Sequence, residues 1–253
     1  MKTDYFLGID GCRGGWVVAA LDAALSLFFF LTLEEAREKI KDSEFTLIDM
    51  PMGLKSEGKG ERKCDVEARK FLKKRKMSIF PMASRQAVYS SNYEEANKVN
   101  REILGKGLSK QSYNLFPKIR EVDSFIEKNT LILNRICEGH PELSFARLNR
   151  SEMVYSKKTQ EGYDERLTLI KRSIPHAEEV ISHFRSLYKT TTLVKDDILD
   201  AVILALAATS KTHNNYKIVP PEEEIDIRGV SMKIFIPFSE EISFPSDVNS
   251  DII

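Results

Sequence analysis

Carboxylates at four places in the chain could act together. Asp10 closes the apolar run Tyr5-Phe6-Leu7-Gly8-Ile9, and Asp49 closes Phe45-Thr46-Leu47-Ile48. Glu138 and Glu142 end a third run that starts at Arg135-Ile136-Cys137. Asp196, Asp197 and Asp200 open a segment that continues as apolar Ala201 to Ala208. An acid at the end of a buried strand is costly unless a cation, backbone N–H groups or a metal ion compensates it. Several of these acids have ordinary explanations. Asp196 suits a helix N-cap, Asp49 could order the turn before Met50-Pro51, and Glu142 could cap the segment after Pro141. Asp10 and Asp200 resist such explanations, since Asp200 falls in the second turn of its helix, too deep for a cap. Carboxylates meeting in one cleft repel each other strongly without a divalent ion. Oxygen ligands suit Mg²⁺ or Mn²⁺ rather than zinc. Two such ions about 3.5–4 Å apart activate a water and stabilise the leaving oxygen of a phosphodiester.

The flanking pattern says which elements would carry these acids. Residues 5–10, 15–21 and 25–31 read as three strands in a meander, with Gly11, Gly14 and Gly15 supplying positive φ for the first reversal. Thr32 and Glu35 have the spacing of a capping box for a helix over 33–41. Residues 45–48 then form a fourth strand. A right-handed crossover would lay it parallel to the first and put Asp10 and Asp49 together at carboxyl ends. Residues 61–76 read as a basic helix, and Pro117 opens another. A fifth strand ends near Glu138–Glu142, residues 143–192 are mostly helical, and 195–208 form a helix apolar all round and hence buried. One or two edge strands are expected in 217–238. The expected organisation is a single domain over 1–238, with helical insertions at about 55–130 and 143–192 and a tail over 239–253.

Composition excludes several classes. The chain has 253 residues, 42% hydrophobic and 30% charged, with no formal net charge. No global field therefore favours nucleic acid, and any such binding must come from a local patch. Cys12, Cys64 and Cys137 are odd in number and widely spaced, which excludes a disulfide framework or C-x-x-C metal site and suggests a reducing cytosol. No signal-peptide pattern is expected at the N-terminus. The apolar stretches near 25–33 and 198–208 fall short of the ~20 residues that span a bilayer. Gly53 to Gly60 nearly spells a P-loop, but Gly60 replaces the metal-binding hydroxyl residue. A serine hydrolase is unsupported, because no G-x-S-x-G occurs. The four histidines lack zinc spacing, and His140 alone lies near the proposed cleft, as a candidate general acid or base.

Six motifs resemble a known family: G-I-D-G-C-R-G-G-W-V-V-A (8–19), D-x-P-x-G-L (49–54), R-x-C-D-x-x-A-R (62–69), P-K-I-x-E-V-D (117–123), E-x-H-P-E (138–142) and D-D-I-L-D-A (196–201). In type and order they resemble the "domain of unknown function 429" family of predicted nucleases. The resemblance spans roughly residues 4–238. It implies a ribonuclease H-like α/β fold: a mixed five-stranded sheet, three strands antiparallel and the rest parallel, flanked by helices. In ribonuclease H-like enzymes the metal acids come from the first strand, the fourth strand and the last helix. Asp10, Asp49 and Asp197 or Asp200 match those positions, and Glu142 matches more loosely. The long 143–192 segment departs from the pattern and implies a capped or specialised pocket.

The leading expectation is a metal-dependent nuclease. Asp10, Asp49, Asp197 and Asp200 would hold Mg²⁺ or Mn²⁺, with Glu142 as a further catalytic acid. Lys118, Lys157 and Arg13 are candidate contacts to a nucleic-acid or nucleotide-like phosphodiester, and the basic stretch 61–76 is a candidate phosphate-facing surface. Two alternatives stand. A sugar-kinase or actin-like ATP-dependent phosphotransferase shares the first motif, but would need a second Gly-rich loop. A non-catalytic nucleic-acid-binding module would keep the fold alone. The sequence expects a cytoplasmic protein with no membrane partner and leaves its oligomeric state open.

Overall fold

A computed structural model describes residues 5–238; the expected tail lies outside the described residues. The strands are β1 (Phe6–Cys12), β2 (Gly15–Leu21), β3 (Leu25–Phe30), β4 (Phe45–Ile48), β5 (Ile136–Glu138), β6 (Tyr216–Val219) and β7 (Ile234–Pro237). They form one seven-stranded sheet in the order β3-β2-β1-β4-β5-β7-β6. The first three are an antiparallel meander, and β4, β5 and β7 each pair parallel to their inner neighbour. β6 closes the far edge antiparallel to β7. The expected count of five strands is therefore corrected to seven. Two four-residue strands separated by Pro220, Pro221 and three glutamates give too short a period-2 signal to count from sequence.

The helices are α1 (Arg37–Asp42), α2 (Lys63–Arg69), α3 (Arg85–Val88), α4 (Tyr93–Leu104), α5 (Lys110–Asn114), α6 (Phe116–Lys128), α7 (Pro141–Leu148), α8 (Gln160–Ser173), α9 (Ala177–Ser186) and α10 (Lys195–Ala208). Among the described residues, no helix is long and apolar enough to cross a membrane. Two helical expectations shift. Residues 33–36 form a 3-10 turn ahead of α1, and Thr32 makes no side-chain cap; Glu35 instead accepts from the Leu31 N–H at 3.0 Å. The basic helix stops at Arg69 rather than 76. Six cations among residues 69–76 set like charges one turn apart, which opposes continuing it.

Alternation along β1 sorts the site from the core. Leu7 and Ile9 point into one apolar layer with Phe116, Ile119 and Val122 of α6. Gly8 and Asp10 lie on the opposite face, toward the layer built by α10 with Val17 and Ala19. α10 comes so close to this face that only glycine fits. A Cβ on Gly8 would sit 2.0 Å from the Ala201 carbonyl oxygen and 2.2 Å from the Ala205 nitrogen. Both are backbone atoms of α10, so neither yields cheaply. Gly8→Ala is expected to cost at least ~3 kcal/mol, the upper end of ordinary overpacking. Urea unfolding of the pure protein checks this, and a loss below ~1 kcal/mol contradicts so close an approach.

The first reversal uses glycine for room, not for handedness. Among the described glycines, positive φ occurs at Gly53, Gly58, Gly60, Gly105 and Gly229, not at Gly11, Gly14 or Gly15. A Cβ on Gly14 would meet Thr192 Cγ2 at 2.3 Å, and one on Gly15 the Phe30 carbonyl at 2.1 Å. β1 also runs on past Asp10 to Cys12, so Asp10 lies within the strand, opposite Val17.

Candidate active site

The close contact of β1 with α10 brings Asp10 and Asp200 into one cavity. β4, parallel to β1, adds Asp49 directly after its last residue, and the Asp49 N–H bonds the Ile9 carbonyl at 2.9 Å. Asp197 joins from one turn earlier on α10, where its carboxylate accepts from the Val194 N–H. That bond makes Val194, not Asp196, the residue preceding the helix. The cavity has a volume of about 340 Å³, and Lys157 and His140 also line it.

Four carboxylates here face one nearby ammonium. The Asp10 carboxyl is raised well above its ordinary value by burial, then by Asp49, Asp200 and Asp197, with Lys157 pulling the other way. Burial also raises Asp49, while His140, Lys157 and a hydrogen bond with Asp10 pull it back. Asp197 is pushed up to about 6 by burial and by Asp196 and Asp200, against its backbone hydrogen bond. Asp200 is likewise pushed up to about 6 by burial, against Lys157, whose Nζ lies 2.5 Å from its Oδ2. The Lys157 ammonium is raised in turn by Asp200, Asp10 and Asp49, despite desolvation.

These shifts give stability a sign in pH. An acid whose folded pKa exceeds its unfolded value binds more protons in the folded state between the two. The contribution of Asp197 and Asp200 therefore falls as pH rises from about 4 through about 6, where both titrate in the folded protein. The part of the melting temperature owed to these acids should drop between pH 5 and pH 7.5 in chelator. Subtracting the profile of Asp10→Asn isolates it, and a difference curve that rises with pH contradicts the assignment.

A second ionic group borders the cavity. Arg62, 2% exposed, pairs with Asp65 and Glu138, with Nη2–Oε1 of Glu138 at 2.8 Å. Its Nη1 also donates to the carbonyls of Met52 and Gly53, while Glu138 accepts from the Met52 N–H. The loop that carries Asp49 is thus clamped to β5. Arg62 and Asp65 stand in the sequence only as parts of a motif, and Glu138 as one of the strand-end acids, with no sign that the three pair. The i, i+3 spacing of Arg62 and Asp65 was the available signal.

The other candidates fall as follows. Glu142 lines the cavity, but its carboxylate is held by Arg166 at 2.8 Å and Arg75 at 2.9 Å. Lys157 reaches the cavity by its bond to Asp200. Lys118 lies over the Trp16 ring, 4.2 Å from its centroid, and beside Glu121, and does not line the cavity. Arg13 is exposed on the turn between β1 and β2, also outside the lining. His140 Nε2 lies 3.0 Å from the Ser78 carbonyl, which can only accept. A proton therefore sits on Nε2, and Nδ1 is buried with no hydrogen-bond partner.

Among the described residues, no three His, Cys, Asp or Glu side chains are grouped as they stand in a way that could hold a metal ion. The donor set nevertheless suits one in kind: clustered aspartates in excess of cations, with the orphaned His140 Nδ1 beside them. A hard divalent ion would relieve the repulsion that raises Asp10. Binding would require Asp200 to exchange Lys157 for the ion.

The profile of the family described as "protein of unknown function (DUF429)" matches residues 8–225. The chain belongs to that family. The match runs from Gly8, whose missing side chain admits α10, to Ile225 near the last strand. Neither the comparison with curated proteins nor that with solved structures gives a match.

Proposed function

We propose that this member of the family is a metal-dependent phosphodiester hydrolase, a nuclease on a ribonuclease H-like sheet. One observation carries the reading. Asp10, Asp49 and the pair Asp197 and Asp200, from three distant parts of the chain, line one cavity beside a single lysine. The meander followed by parallel β4 and β5, with an acidic helix laid across β1, supports the fold half of the proposal.

Asp10, Asp49 and Asp200 would hold Mg²⁺ or Mn²⁺, with Asp197 completing the set; bound there, the ion would activate water and neutralise developing charge on a phosphate. The chain's own groups have further tasks. The Arg62 clamp fixes the loop behind Asp49. His140 Nδ1 can accept a proton from a nearby water or hydroxyl, because its Nε2 proton is committed to Ser78. Lys157, once released from Asp200, is placed to contact a phosphate oxygen. Glu142, held between two arginines, serves as a positioning group rather than a metal ligand. The three cysteines are free and buried, which fits a reducing cytosol.

The Lys157–Asp200 pair is the one observation that favours a second reading, a binding module whose acids are neutralised from within. Cleavage of labelled single-stranded, duplex and hybrid oligonucleotides with Mn²⁺ separates the two. Wild type should cut at least one substrate and Asp10→Ala none. Equal, metal-independent behaviour of both proteins would overturn the hydrolase. Clear micromolar ATP binding by calorimetry would instead point to the phosphotransferase.

A further inference from the structure

A second cavity, of about 720 Å³, lies beyond the acidic one, and its lining is basic. Lys73, Lys74, Arg75, Arg147 and Arg150 line it, against one acid, Glu152. Glu152 offsets only one of these five positive charges. Its carboxylate is occupied by backbone N–H groups, those of Lys73 and Lys74, the latter at 2.9 Å. Among the described residues, Lys73 and Lys74 are exposed and their ammonium groups have no ion-pair partner. The Arg147 guanidinium lies over two aromatic rings, its carbon 5.7 Å from the Phe71 centroid and 5.1 Å from that of Phe238. Its Nε is buried without a hydrogen-bond partner. Contact with the ring faces holds the cation in place without using its N–H groups, which stay open to an anion.

Arg75 joins the two cavities. It lines the basic one, and its Nε pairs with Glu142, which lines the acidic one. Val154 and Tyr155 beside it are 75% and 51% exposed, and their carbonyls anchor Arg75 Nη2. A polyanion seated at the carboxylates thus meets, one ion pair away, cations and an exposed aromatic ring. That is the combination single-stranded nucleic acid uses, phosphates on cations and bases on rings.

We propose that the basic cavity binds backbone phosphates of a nucleic-acid strand flanking the one presented to the carboxylates. The proposal rests on the nuclease reading for its choice of ligand, but its test does not need cleavage. Binding of a fluorescein-labelled 12-nucleotide single strand is measured by anisotropy in EDTA from 50 to 300 mM salt. The variants are Lys73→Gln/Lys74→Gln, Arg147→Gln, and a charge-matched control, Lys39→Gln/Lys41→Gln on α1. The 73/74 pair should weaken binding about tenfold at 50 mM salt and flatten the slope of log affinity against log salt by about 1.4, two phosphate contacts at ~0.7 each. Arg147→Gln should weaken it several-fold, and the control should leave it unchanged.

Wild-type binding with the 73/74 variant indistinguishable from it overturns the proposal, as does an equal loss in the control. No strand binding at all also overturns it. In that event, Mn²⁺-dependent hydrolysis of bis(4-nitrophenyl) phosphate tells whether the acidic site still stands. Inorganic phosphate at 10 mM is the competing arm. Full displacement of the strand by phosphate would assign the cavity to a small phosphate and overturn the strand.

Discussion

Arg62→Met is expected to cost about 3–5 kcal/mol, the scale for removing one partner of a buried ion pair. The arginine is one of the largest fully buried side chains. Its removal leaves Asp65 and Glu138, 1% and 8% exposed, as uncompensated charges. It also frees the carbonyls of Met52 and Gly53, so the loop behind Asp49 loosens. The variant should therefore lose activity beyond its loss of stability. Arg62→Lys keeps the charge but cannot span two carboxylates with one planar fork, and should fall between. Adding Asp65→Asn and Glu138→Gln to Arg62→Met should recover part of the loss, since no charge is then left unpaired. Denaturant titration of the four proteins checks this. A single-variant loss below ~1 kcal/mol would mean that the network is not the clamp described.

Asp10→Asn should move stability and activity in opposite directions. In chelator the variant should be more stable than wild type, because Asn cannot carry the charge that this site disfavours. Burial and three neighbouring aspartates already push its carboxyl toward the protonated form. Cleavage with Mn²⁺ should fall by more than ~100-fold, since even outer partners of metal ligands cost 10–100-fold. A variant that is both less stable and fully active would show that Asp10 is a structural residue.

Much of this site was legible in the chain, because its acids sit where strands and a buried helix end. Asp10 and Asp200 were picked out by the cost of burying a charge, Asp49 by its place at the end of a strand parallel to the first, and the three share a cavity. The parallel placement of β4 followed from the helix between it and the meander. The outer edge was legible only as one or two edge strands within 217–238, not as a firm count. β6 and β7 are four residues each and are held by pairing rather than by their own pattern. Partnerships were hidden as well. Nothing in the sequence distinguishes Lys157, which reaches Asp200 across 43 positions, from Lys118, which ends on Trp16. Glu142 read as a free acid because its arginines come from residues 75 and 166, on separate segments. The glycines of the first hairpin signalled a turn correctly and its physics wrongly. Their role is to admit Thr192 and Phe30, contacts no local rule contains.

The central claim is that this cluster takes a divalent ion in place of Lys157. A crystal soaked in Mn²⁺ and measured at the manganese edge tests it most directly. The account predicts an anomalous peak between the carboxylates of Asp10 and Asp200, with the Lys157 ammonium withdrawn from Asp200, and no such peak in Asp10→Asn. A saturating soak that leaves the Lys157–Asp200 pair intact and places no manganese beside Asp10 would contradict it.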